Sequence, residues 1–139
     1  MSVPLRVRDY MTSDVITVGP QVEVTQVVRL LIDRDVSGVL VVDAAGMLVG
    51  VVTERDCIRV AAAAGYYDEP GGPVADFMSA PVETVGPDDN LVDVAVRMAA
   101  SRYRRFPVVV DGRLVGLIGR RDVLRALGSG SWFVRESRV

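Results

Sequence analysis

The feature that most constrains the fold of this chain is an internal repeat. Val7-Arg-Asp-Tyr-Met-Thr12 returns as Val74-Ala-Asp-Phe-Met-Ser79, and Thr17-Val18-Gly19-Pro20 returns unchanged as Thr84-Val85-Gly86-Pro87, both at an offset of 67 residues. Further on, Leu48-Val49-Gly50 matches Leu114-Val115-Gly116 and Asp56 matches Asp122, now at an offset of 66. The single lost residue falls in the turn between the two strands, at Asp43–Gly46 in the first copy and around Asp111-Gly112 in the second. A register kept this long marks a duplicated structural unit.

Each copy carries the same order of signals. A short β-branched segment, Val15–Val18 or Val82–Val85, ends in a Gly-Pro turn. Apolar residues then recur at helical spacing: Val24, Val27, Val28, Leu31 and Ile32 in the first copy, and Leu91, Val94, Ala95, Met98 and Ala99 in the second. Two strands joined by a glycine-containing turn follow, Val39–Val42 with Leu48–Thr53 and Phe106–Val110 with Leu114–Gly119. A closing helix is expected from Glu54 into Ala61–Ala64, and from Arg120 to Leu127.

One β-α-β-β-α copy is too small to cover both faces of its own sheet. The expected architecture is α/β (α+β), with two tandem repeats packed sheet to sheet and helices outside. The boundaries expected are repeat 1 over residues 1–64, a Gly/Pro-rich linker over 65–73, repeat 2 over 74–128, and a tail over 129–139 that carries Trp132 and Phe133.

Composition narrows the function. The chain has 139 residues, no histidine and one cysteine, Cys57, so the commonest general base is missing and a zinc site lacks its ligands. A net charge of −2 gives no field to steer the chain onto nucleic acid or anionic lipid. No apolar run reaches the length of a membrane span, and Met1–Arg8 has neither the basic start nor the apolar stretch of a signal peptide. The expectation is a cytoplasmic, non-enzymatic protein with no catalytic cofactor and no metal. Cys57 lies near a helix start that would lower its pKa, but a buried small hydrophobe is the stronger reading.

The repeated Asp-x-Met-Thr/Ser opening, the Thr-Val turn, the Arg105-Phe-Pro-Val-Val-Val110 run and the two Gly-x-x-x-x-x-Asp segments, in this order and twice over, resemble the cystathionine β-synthase (CBS) domain in its tandem arrangement, the Bateman module. The first copy departs from the pattern at Leu40, where the second has Pro107. The resemblance implies a stand-alone regulatory module. It would bind an adenosine-type ligand such as ATP, ADP or AMP, pair into a homodimer, and pass a conformational or assembly change to an effector protein. The alternative is a ligand-free dimerisation or docking module.

The resemblance also implies two ligand sites, each drawing on both copies. In the first, Asp56 would hold the ribose hydroxyls and Thr53 would lie near the ribose or phosphate. Arg55, Thr84, Tyr103, Arg104 and Arg105 would complete it. In the second and weaker site, Asp122 and Arg121 would be joined by Thr17, Val36, Ser37 and Gly38. The residues themselves allow a simpler account of Thr53-Glu-Arg-Asp56, in which Thr53 caps a helix and Asp56 answers it from the third position. In the second copy Gly119 replaces Thr53 and one hydroxyl is lost, so the two sites are expected to be unequal, with the Asp56 site better suited to a phosphorylated ligand.

Overall fold

A computed structural model of the chain describes residues 5–67 and 71–129, with only the backbone of 64–67. Among the described residues there are four α-helices and two small sheets in a mixed α/β arrangement. They divide into two compact units. Residues 16–82 form one, here the Asp56 unit; residues 5–15 and 83–129 form the other, the Asp122 unit.

In the Asp56 unit, strand β1 (Thr17–Val18) runs parallel to β2 (Gly38–Val42), which pairs antiparallel with β3 (Leu48–Thr53). Helix α1 (Val24–Arg34) buries Val24, Val27 and Leu31 and ends at Asp35 in the left-handed conformation, φ 52°. The turn between β2 and β3 closes on Asp43, whose carboxylate accepts from the N–H groups of Ala45 (2.9 Å) and Met47 (3.0 Å). Helix α2 (Glu54–Tyr67) follows β3 without a break. It runs three residues into the segment expected to be linker, because the alanine run carries the helix on and no proline intervenes before Pro70.

The Asp122 unit repeats this plan with α3 (Leu91–Ala100), β4 (Arg105–Val110), β5 (Arg113–Gly119) and α4 (Arg120–Gly128). Its hairpin turns on Asp111 and Gly112, at φ 51° and 81°, the two-residue geometry that such a pair favours. The strand expected at Val82–Val85 is reduced to a single parallel bridge between Val85 and Val108. Pro81 and Pro87, which have no N–H to give a ladder, bracket it.

The opening segments are exchanged between the copies. The turn at Val7–Asp9 belongs to the unit built from the second copy. There the N–H of Val7 donates to the Asp89 carbonyl (3.1 Å), Leu91 N–H donates to the Leu5 carbonyl (3.0 Å), and Thr12 and Leu117 exchange two bonds of 2.9 Å. The matching turn, Val74–Asp76, belongs to the first copy's unit, with Val74 N–H donating to Val22 O (2.8 Å) and Ser79 exchanging two bonds with Val51. Val7 and Val74 are both fully buried, each in the core of its adopted unit. Thus Val7 packs with Leu91, Val94, Phe106 and Ile118, and Val74 with Val27, Leu31, Val41 and Val52.

The exchange also accounts for two glycines. A Cβ on Gly50 would stand 2.5 Å from the Met78 sulfur, and one on Gly116 would stand 2.8 Å from the Met11 sulfur. In both units the methionine of the opening motif fills the space that the glycine leaves.

Candidate functional site

At the junction of β3 and α2, Thr53 is the last strand residue and Asp56 lies in the first helical turn. Their side chains lock together. Asp56 Oδ2 accepts from the Thr53 N–H (2.9 Å) and from Thr53 Oγ1 (3.0 Å), while Thr53 Oγ1 accepts from the Asp56 N–H (3.3 Å). This is the capping box that the sequence allowed, and it satisfies donors at the helix start that would otherwise lack partners. Ser79, from the exchanged segment, donates its hydroxyl to Asp56 Oδ1 (3.2 Å). Asp56 is 5% exposed, the one buried charged residue among those described.

A carboxylate offers about four acceptor positions, and three bonds to Asp56 fill both positions of Oδ2 and one of Oδ1. Around it, Ser37 accepts the Glu54 N–H through its carbonyl (2.9 Å), and Gly38 lies directly opposite Thr53 across the strand pair. Val36 is half-buried just before β2, Thr17 pairs with Leu40 on β1, and Arg55 is exposed on the first turn of α2. Cys57 is buried, and its thiol pKa is raised, first by burial and then by the Asp56 and Glu54 carboxylates. Those effects outweigh the helix start, so Cys57 is the small core residue that the sequence favoured.

The equivalent junction in the Asp122 unit is built differently. Asp122 Oδ2 accepts from the Gly119 N–H (2.7 Å), and its Oδ1 accepts from Arg125, which also donates to the Tyr10 carbonyl (3.1 Å). Arg125 thus takes the part that Ser79 plays in the other unit. Arg105 lies opposite Gly119 across β4 and β5, and the Arg104 carbonyl accepts the Arg120 N–H (3.1 Å). Arg104, Arg105, Arg120 and Arg121 are all exposed, and among the described residues none of them has an ion pair. Tyr103, also exposed, stacks beside Arg102 and Phe106. Thr84 is held through its carbonyl by Arg97, which also pairs with Glu83 (2.7 Å) and lies 5.0 Å from the Phe106 ring centre.

The structure therefore brings Thr53, Asp56, Ser37 and Gly38 together on one unit. It brings Asp122, Arg104 and Arg105 together on the other, with Arg121 next to Asp122 in α4. The sequence reading had assigned Thr84 and Tyr103–Arg105 to Asp56, and Thr17 and Val36–Gly38 to Asp122. Thr17, Val36, Ser37 and Gly38 lie in the same unit as Asp56, and Thr84, Tyr103, Arg104 and Arg105 in the same unit as Asp122. Arg105 reaches Gly119 only through a register shift between Val108 and Val109, which a count outward from the Asp111-Gly112 turn does not give. Ser79 was missed, although its place in the repeated Met-Thr/Ser motif marked it.

Fold and site define an internally duplicated α/β module with a capped aspartate at the head of each closing helix. The chain belongs to the CBS domain family, whose model matches residues 7–63 and 74–129. It is 34% identical over 123 residues to MJ1225 of Methanocaldococcus jannaschii, covering 88% of this chain and 43% of that protein. Among solved structures it is similar to CBSX2 in complex with AMP (32% identity, TM-score 0.79, 89% of this chain and 96% of that one); CBSX2 is an Arabidopsis thaliana protein. It is also similar to the CBS domain pair of MJ0100 in complex with 5'-methylthioadenosine and S-adenosyl-L-methionine (25% identity, TM-score 0.72, 92% and 99% covered). No helix among the described residues is long and apolar enough to cross a membrane.

Proposed function

We propose that this chain is a regulatory, non-catalytic module that binds an adenosine-type ligand, and that the aspartates heading α2 and α4 are its ribose anchors. The observation that carries this reading is the repeated placement of a carboxylate three residues after the strand end. In each unit the N–H of residue 53 or 119 holds one carboxylate oxygen, and Oδ1 faces only a side-chain donor, Ser79 or Arg125. A ribose hydroxyl matches the acceptor position that remains on that oxygen. Its likeness to a CBS pair bound to AMP, and to another bound to two other adenosine compounds, supports the same ligand class.

The ligand's ribose would meet Asp56 beside Thr53 and Arg55, and Asp122 beside Arg121, with Thr17, Val36, Ser37, Gly38, Thr84, Tyr103, Arg104 and Arg105 as the further candidate contacts that the resemblance implies. The chain acts in the cytoplasm as a homodimer and passes the signal to an effector protein. The helices carry apolar residues suited to pairing: Ile58 on α2 and Leu124 on α4 occupy the same repeat position and are 68% and 54% exposed.

A thermal-shift panel of ATP, ADP, AMP, S-adenosylmethionine and 5'-methylthioadenosine tests this reading. A ligand at a hundredfold excess over its Kd adds about 2.7 kcal/mol of stability, and at least one member of the panel is expected to raise the melting temperature. If none does, the second reading stands, a ligand-free docking or dimerisation module. What favours that reading is that Asp56 is already hydrogen-bonded within its own unit.

A further inference from the structure

In each unit the aspartate's Oδ1 is tied to the exchanged opening segment, and the two ties use different groups. In the Asp56 unit the tie is direct. The Ser79 hydroxyl donates to Oδ1 (3.2 Å), and the Ser79 backbone exchanges bonds of 2.8 and 3.0 Å with Val51. In the Asp122 unit the tie runs through one guanidinium nitrogen. Arg125 Nη2 carries two hydrogens and donates to both Asp122 Oδ1 and the Tyr10 carbonyl (3.1 Å). Tyr10 lies two residues before Thr12, whose backbone exchanges two bonds of 2.9 Å with Leu117.

Both copies carry both groups. Thr12 stands at the repeat position of Ser79, and Arg59 at that of Arg125. Among the described residues the Thr12 hydroxyl and the Arg59 guanidinium have no partner. Each unit thus closes the link once, with one of two available side chains. Helix capping does not require it, because Oδ2 already holds the N–H of Thr53 (2.9 Å) or Gly119 (2.7 Å). What the bond on Oδ1 adds is the plane of the carboxylate, whose last torsion is otherwise soft.

Resting on the adenosine-ligand reading above, we propose that Ser79 and Arg125 are positioning residues for the two ribose anchors, and that through them the opening segments Val74–Ser79 and Val7–Thr12 respond to ligand. A carboxylate already fixed in its plane loses less freedom when a ribose hydroxyl bonds to it. The bound hydroxyl in turn holds the carboxylate where the tie needs it. Such coupling is reciprocal: removing the tie weakens the ligand, and adding the ligand stiffens the opening segment.

Hydrogen exchange of the intact chain, with AMP, ATP and S-adenosylmethionine in turn, tests this. A compound that binds is expected to slow exchange of the Val7 and Thr12 amides, of the Val74 and Ser79 amides, or of both pairs. Arg125→Met abolishes the slowing at Val7 and Thr12 alone, and Ser79→Ala abolishes it at Val74 and Ser79 alone. In calorimetric titration, the variant whose segment responds weakens binding about fivefold or more. Arg125→Lys and Ser79→Thr, which keep a donor in place, recover most of the loss. Arg59→Met removes the same charge without a tie and changes binding less than about twofold. Arg125 and Ser79 are exposed, so their variants are expected to fold. Binding with no change in exchange at either segment, slowing that survives both Arg125→Met and Ser79→Ala, or a loss in Arg59→Met equal to that in Arg125→Met overturns the positioning role and leaves the adenosine reading intact. A wild-type chain that binds none of the three compounds overturns both.

Discussion

Asp56 shows how one residue serves structure before it serves a ligand. Its carboxylate is buried and takes three hydrogen bonds, from the Thr53 N–H, the Thr53 hydroxyl and the Ser79 hydroxyl. Asp56→Ala removes the cap and strands those donors, so it should cost about 1–3 kcal/mol of stability. Asp122 is more open, with 15% of its side chain exposed and an exposed arginine as its second partner. Asp122→Ala should therefore cost less, and urea unfolding of the two variants compares them directly. Cys57 gives a pH prediction. Its raised pKa keeps the folded thiol neutral where the unfolded thiol has already ionised. In that alkaline window the folded state holds more protons, so stability falls as pH rises through it. The alkylation rate of native Cys57 should accordingly show a midpoint above that of a free cysteine thiol; a midpoint below would mean the helix start governs the site.

At the scale of elements, the repeat made the helices and hairpins legible, because periodicity and turn residues are local signals. Helices α1 and α3 fall where the apolar spacing put them, and the two hairpins close at the glycine-containing turns. The strand at Val82–Val85 was over-read: β-branched residues announce a strand, but the flanking prolines leave a bridge. The packing of Met78 on Gly50 and of Met11 on Gly116 gives a prediction at this scale. Gly50→Ala and Gly116→Ala should each destabilise the chain by about 1–3 kcal/mol through overpacking. The second substitutions Met78→Ala and Met11→Ala should make each glycine change less costly than it is alone, in a double-mutant cycle read by thermal unfolding. Additive costs would contradict the contact.

At the scale of the molecule, the exchange of opening segments was not legible, since nothing in Val7–Thr12 or Val74–Ser79 encodes which copy each packs against. The site was half legible for the same reason. Its aspartates stand in a local motif, whereas Ser79 reaches Asp56 only through the exchange. Residues 16–82 contain a complete unit, including Val74 and Ser79, so that fragment should fold cooperatively. Residues 1–64, one repeat by sequence, lack the segment that fills their core and should not. Circular dichroism of the two fragments distinguishes the cases.

The central claim is that an internally duplicated CBS module binds adenosine ligands through two unlike units. Calorimetric titration of the intact chain with ATP tests it most directly, run on the wild type, Asp56→Asn and Asp122→Asn. The account predicts saturable binding by the wild type, with weaker ATP binding in at least one of the two variants, because each replaces a proposed ribose anchor. No heat of binding in the wild type, or unchanged affinity in both variants, would contradict it.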